Sequence, residues 1–337
     1  MPAAPTQRAA VPPGRRSVPT PSAKQSAWIA AAMLGMIAIP AAITLHSVSH
    51  PVRLEPTAAN PSPYGYTWSL LLFIVPIVAI FFWFVPGEQI RIPKLAFWRT
   101  IGVLAPLGCA LDFFFANSLF VYPNRQATLG IGAPALGGPV PVEEYVFYLT
   151  GFIAVLLIYV WLSEYWLAAY NTESYVGDAK ALHRLIQFHP ASAVLGILLI
   201  VAAVLFKKLA SPVPAGWPWY WIVLVAGGFV PSITFFPTAR PYINWRAFSL
   251  TVFFIVLVSL VWEATLAVPY GWWGYQPRSM MGVFIGAWAG LPLEAVCVWI
   301  AVTYGTVIVF EIVKLWKASG KPARQAFTGK PVSGTTA

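Results

Sequence analysis

Five acidic residues stand where carboxylates are costly. Asp112 lies in the run Ala-Leu-Asp-Phe-Phe-Phe-Ala, and Glu263 in Val-Trp-Glu-Ala-Thr-Leu. Glu143, Glu144 and Glu294 open apolar stretches, as Pro-Val-Glu143-Glu144 and Pro-Leu-Glu294-Ala295. A charged side chain in hydrocarbon costs about 2.5–3.5 kcal/mol and usually turns toward the interior of its helix bundle. A carboxyl kept from water favours its neutral form, and a neutral carboxyl in an apolar pocket is a good general acid. The chemistry suggested is proton donation and acceptance in a water-poor site. A plainer reading also stands: mid-span acids can hydrogen-bond a neighbouring helix, and acids after a proline can cap a first turn. Glu143 and Glu144 lie about 100° apart on a helix and cannot both face one way. Glu143 is the better catalytic candidate, because Glu294 matches it; Glu144 is expected to cap or orient it.

Aromatic residues accompany these acids. Trp262 adjoins Glu263, Phe147 is one turn from Glu143, and Tyr270-Gly-Trp-Trp273-Gly-Tyr275 precedes the second proline–acid motif, with Tyr122 in the matching place before the first. They read either as an interfacial belt or as a lining whose ring faces stabilise a cation. Other chemistry finds few residues. There are four His and two Cys, too few for histidine-rich metal boxes, and no Cys-based zinc site or disulfide framework. His46 and His50 share a helix face but read as solvated or capping. Gly130-Ile-Gly132 lacks the third glycine of a dinucleotide fingerprint, and there is no paired Asp-rich magnesium motif. No metal or cofactor is expected. Cys109 and Cys297 read as small apolar packers, and Glu311 and Lys314 as a surface pair near a helix end.

The elements that must position these groups follow from composition. Of 337 residues, 58% are hydrophobic and 9% charged, against about 25% charged in soluble domains. An ordinary soluble enzyme is excluded, and an all-α transmembrane protein in contact with a lipid bilayer is expected. Apolar spans fall at about 27–45, 67–86, 100–120, 141–165, 188–208, 217–237, 247–268 and 291–313, each able to cross about 30 Å of hydrocarbon. The fifth ends in Lys207 and Lys208, and the sixth carries Gly227, Gly228 and Pro231, where a kink is expected. Residues 1–26, rich in Pro, Ala and Ser, read as a disordered tail. With the N-terminus inside, only Arg53, Arg125, Lys207, Lys208 and Arg278 of the 21 Lys and Arg lie outside. That bias puts both termini in the cytoplasm of a multi-pass protein of the cell inner or plasma membrane. The basic residues are thus orientation signals, and no nucleic-acid partner is expected.

A shift of 151 residues sets Pro63 on Pro214, Trp68 on Trp219, Asp112 on Glu263, Tyr122 on Trp273 and Pro141-Val-Glu143 on Pro292-Leu-Glu294. Rare acids meeting rare acids points to a duplication, with repeats at 63–165 and 214–315. Residues 27–62 form a leading helix and loop, 166–213 a connecting loop and helix, and 316–337 a basic C-terminal tail. The expected fold is a bundle of about eight helices built from two similar repeats. Four spans per unit give parallel repeats about an axis along the membrane normal; if the fifth span does not cross, the repeats are inverted.

This pattern resembles the lycopene cyclase domain family, the integral-membrane carotenoid cyclases, in a fused two-repeat form. The resemblance rests on an acid within a span (Asp112; Trp262-Glu263), then an aromatic loop (Tyr122; Trp273-Gly-Tyr275), then a proline-x-Glu helix start (Pro-Val-Glu143-Glu144-Tyr-Val-Phe147; Pro-Leu-Glu294-Ala295), and covers roughly 200 residues across both repeats. It implies a redox-neutral isomerising cyclase acting on a carotenoid or other long isoprenoid. A carboxyl protonates a terminal double bond, the cation closes a ring, and a base removes a proton. Asp112, Glu143, Glu144, Glu263 and Glu294 would supply acid, base and cation stabilisation, and Tyr122, Phe147, Trp262, Trp273 and Tyr275 would line the substrate site. The second repeat departs from the pattern, with Ala295 after Glu294 and Val298 in place of an aromatic. Alternatives are a terpene cyclase or hydratase on another polyene, and a non-catalytic transporter that uses the acids for proton passage. A homo-oligomer is compatible with every reading.

Overall fold

The computed structural model describes residues 62–84, 93–171 and 175–330, with isolated positions between 28 and 42. The expected tail at 1–26, most of the first span at 27–45, His46, His50 and residues 331–337 lie outside the described residues. The described chain is all-α, with three two-residue strand pairs in its loops. Nine helices follow in order among the described residues: α1 (Gly65–Phe84), α2 (Lys94–Leu119), α3 (Val142–Trp161), α4 (Tyr175–Ala181), α5 (Pro190–Leu209), α6 (Trp219–Ala239), α7 (Trp245–Trp262), α8 (Leu293–Ser319) and α9 (Ala323–Thr328). The seven long ones coincide with the second to eighth apolar spans.

Local chemistry sets the boundaries. Pro190 opens α5, where its missing N–H has no partner to lose. Asn244 caps α7 by accepting from the Ala247 N–H at 3.2 Å. Gly320, at φ 68°, ends α8 in the left-handed conformation. α6 runs as one helix through Gly227, Gly228 and Pro231. α3 and α7 end in π turns, Leu162–Trp166 and Glu263–Ala267. Such turns often mark functional positions, and Glu263 opens the second.

Six stretches, Lys94–Leu119, Val142–Trp166, Pro190–Leu209, Trp219–Ala239, Trp245–Ala267 and Leu293–Ser319, are long and apolar enough to cross a membrane. Their outward faces are apolar too, with Leu107, Ile197 and Val230 more than half exposed. α8 lies at the centre, packed against α2, α3, α4, α6 and α7.

One order of short elements occurs twice. Strand β1 (Phe120–Val121), a 3₁₀ turn at Arg125–Ala127 and the hairpin β2–β3 (Gly132–Ala133, Val140–Pro141) lead into α3. Strand β4 (Gly274–Tyr275), a 3₁₀ turn at Pro277–Ser279 and the hairpin β5–β6 (Phe284–Ile285, Leu291–Pro292) lead into α8. β1 and β4 pair antiparallel, Phe120 opposite Tyr275, and join the two loops.

In the C-terminal segment α9 packs back, and Ala326 O accepts from the Leu185 N–H at 2.8 Å. One expectation is corrected. Glu311 and Lys314 are not a surface pair. They form a buried ion pair at 2.5 Å, because α8 extends past them and Tyr175 of α4 covers the Lys314 ammonium at 4.9 Å. Lys207 is also buried and donates to the Pro277 carbonyl at 2.9 Å, tying α5 to the loop after β4.

Candidate functional site

A cavity of about 40 Å³ lies between the ends of α3, α7 and α8 and is walled by Tyr66, Glu144, Phe147, Glu263, Trp273 and Tyr275, among others. Two carboxyls therefore meet there, one from each half of the chain. Their partners differ. Tyr66 donates to Glu144 Oε1 at 2.8 Å. Glu263 has a donor on each oxygen: Trp299 Nε1 on Oε1 at 3.0 Å and the Tyr275 hydroxyl on Oε2 at 2.5 Å. The π turn at Glu263 sits directly before the aromatic loop, so the acid and Tyr275 return to the same place within a dozen residues.

The wall around the two acids is a continuous set of rings. Tyr66 and Trp273 have centroids 4.9 Å apart, as do Trp262 and Trp273. Phe147 bridges Trp262 at 5.3 Å and Trp299 at 5.4 Å. The helix α1 brings Tyr66 in because Gly65 has no side chain: a Cβ there would lie 2.8 Å from the Trp272 ring. Trp272 in turn donates to Ser62 Oγ at 2.9 Å. These contacts dock the start of α1 on the aromatic loop of the other half.

Glu143 and Glu294 do not line this cavity. Glu143 Oε1 accepts from the Leu129 N–H at 2.7 Å and from Thr67 at 2.6 Å. Glu294 Oε1 accepts from the Met281 N–H. Each thus holds the loop that precedes its own helix, at matching places in the two halves. Glu144, expected to orient Glu143, is the acid on the cavity wall, because the step of about 100° between neighbouring helix positions separates them.

Asp112 is buried at 2% exposure, and its Oδ2 has no hydrogen-bond partner among the described residues. It faces not the central cavity but an adjoining apolar groove of about 190 Å³ between α2, α6 and α8. Tyr122 is half-buried between the central ring cluster and the core beside β1. Burial pushes its phenol well up, and the carboxyls of Glu144 and Asp112 act in the same direction. Tyr275 is pushed up by burial first, then by Glu263 and Tyr220. Both phenols stay neutral across ordinary pH.

Of the ten residues singled out from sequence, Glu144, Glu263, Phe147, Trp273 and Tyr275 share the cavity wall. Trp262 stands in the ring cluster behind it. Sequence reasoning missed Tyr66, Thr67, Tyr148, Tyr220 and Trp299. The 151-residue shift sets Tyr148 on Trp299 and Tyr66 on Trp217, so these were within reach of the repeat comparison; Tyr220, which meets Ser69, had no such signal. Among the described residues, no three His, Cys, Asp or Glu side chains converge as a metal site. The arrangement can move a proton to and from an apolar ligand surrounded by ring faces. Comparison with protein-family models, with curated proteins and with solved structures finds no match to this chain.

Proposed function

We propose that this chain is a membrane-embedded cyclase that closes an end ring of a carotenoid or similar long isoprenoid by protonation. The observation that carries the reading is the pairing of Glu144 and Glu263 in one cavity walled by aromatic rings. Glu144 donates its proton to the terminal double bond. The tertiary cation is attacked by the next double bond, whose electron pair forms the ring bond and moves the charge one unit along. Glu263, with a donor on each oxygen, takes a proton from the carbon beside the new cation, leaving a ring double bond. The proton then returns to Glu144. Substrate and product are isomers, so the balance needs no oxidant or reductant. Ring faces of Trp273, Phe147 and Tyr66 hold the cation meanwhile.

The six long apolar helices and their apolar outward faces support a transmembrane bundle. The doubled order of strand, 3₁₀ turn, hairpin and long helix supports a duplication, and the sequence pattern resembling lycopene cyclase domains supports the substrate class. With both termini in the cytoplasm, as the Lys and Arg distribution favours, the acid cavity lies in the outer half of the bilayer.

The test is expression in a bacterial host that accumulates lycopene, with pigments separated by chromatography. Cyclic products are expected from the wild type and are expected to fall at least about a hundred-fold in Glu144→Gln and Glu263→Gln. Unchanged pigment despite folded protein in the membrane excludes this substrate. Rings or hydroxyls on other polyenes then favour a terpene cyclase or hydratase, and proton-coupled uptake into vesicles a transporter.

A further inference from the structure

The two halves make two matching apolar grooves beside the acid cavity, and they differ in filling. One runs between α2, α6 and α8 and has a volume of about 190 Å³. The other lies between α1, α3 and α7 and has about 70 Å³. The 151-residue shift maps one wall onto the other: Leu111 onto Trp262, Val298 onto Phe147 and Leu224 onto Phe73 in reverse order of halves. At each of these places the narrower groove holds the aromatic residue and the wider one an aliphatic residue. The difference in volume thus has a side-chain cause.

The open groove adjoins the acid cavity, with Phe120, Tyr148, Tyr220, Val298 and Val302 on the walls of both. Along α2 its lining runs from Val103 to Leu119, a rise of about 24 Å. Glycines shape its walls. Gly108 and Gly305 let the helices approach closely, since a Cβ would lie 2.9 Å from the Phe152 ring and 3.3 Å from the Gly227 carbonyl oxygen, while a Cβ on Gly227 would meet nothing within 4 Å and so faces open space. Leu107, on the opposite wall, is more than half exposed. The groove therefore opens sideways through the apolar surface, between α2 and α6.

We propose that this groove holds the unreacted tail of the substrate, that Gly227 sets the length of chain accepted, and that the aromatic filling of the matching groove leaves a single direction of entry. The ligand is a linear, apolar polyene whose reactive end reaches Glu144 and Glu263 while its tail passes Asp112. Its chemical identity rests on the cyclase reading; the groove's use does not.

Two substitutions narrow the groove from opposite walls, Gly227→Phe and Leu107→Trp, and Ile197→Phe, on the exposed face of α5 away from the groove, serves as control. Binding is read in detergent micelles as quenching of the protein's tryptophan fluorescence by lycopene and by a linear polyene of half its length. Lycopene binding is expected to weaken at least about ten-fold in both groove variants, with the short polyene and the Ile197→Phe control within about two-fold of wild type. Equal affinity of wild type and both groove variants for lycopene overturns the proposal, as does an equal loss for long and short polyenes. A length-dependent loss of binding in a protein that forms no cyclic product sinks the cyclase reading alone.

Discussion

Trp299 Nε1 donates to Glu263 Oε1 at 3.0 Å and ties the first turns of α8 to the end of α7. The indole ring simultaneously packs edge-on against Phe147 of α3 at 5.4 Å. One side chain thus orients an acid and closes the ring wall around it. Trp299→Phe keeps the ring and removes the donor. A hydrogen bond to a charged group is worth about 1.5–3 kcal/mol, so kcat is expected to fall about ten- to a hundred-fold with KM little changed. A rise in KM at constant kcat would place Trp299 in binding alone.

Glu143 and Glu144 are neighbours with separate tasks. Glu143→Gln keeps an oxygen to accept from Leu129 and Thr67 and is expected to retain activity within about ten-fold of wild type. On the proposed cyclase reading, Glu144→Gln loses the transferable proton and is expected to lose about 10²–10⁴-fold in rate, the worth of general acid catalysis. Glu143→Ala removes the loop contact and is expected to lower thermal stability by about 1–3 kcal/mol. Product yield per folded protein, with melting in detergent, separates the two. Comparable loss in both Gln variants would return Glu143 to the chemistry.

The Tyr275 phenol is pushed well above its ordinary value of 10.0. A group raised on folding gives stability that is complete below its unfolded pKa and drains away as pH climbs through its folded one. Wild-type melting temperature is therefore expected to fall more steeply than that of Tyr275→Phe once pH exceeds ~10, and to run parallel to it below. Parallel curves throughout the alkaline range contradict this.

Glu311 and Lys314 form a buried pair that also accepts the Tyr159 hydroxyl at 3.0 Å. Removing one partner leaves a buried charge uncompensated, at a cost of about 3–5 kcal/mol. Lys314→Met should therefore destabilise strongly, and Glu311→Leu with Lys314→Met should recover most of the loss. Thermal melts of single and double variants in one detergent give the answer. Additive losses would show that the two side chains are not coupled.

Much of the architecture is legible in one dimension. Seven apolar spans coincide with long helices because a helix that buries its polar backbone in apolar surroundings needs an unbroken apolar run of that length. Asp112 and Glu263 stand out for the same reason, being charges in such runs. The Pro-x-Glu starts are equally plain, since proline and acids suit a first turn. The surface reading of Glu311 and Lys314 fails because the segment that covers them, around Tyr175, carries no apolar run long enough to announce a packed element.

By itself, then, the sequence determined the helices, their apolar faces and the short set of acids and rings from which a site had to be drawn. Tertiary structure alone decided which of these meet. A rotation of about 100° between adjacent helix residues sends Glu144 to the cavity and Glu143 to a loop, yet along the chain the two are nearly indistinguishable. Glu263, Tyr66 and Trp299 reach that cavity from three different helices. Only the packing of α1, α7 and α8 around α3 brings them together, since helix contacts join side chains far apart in sequence and leave no periodic mark on either partner.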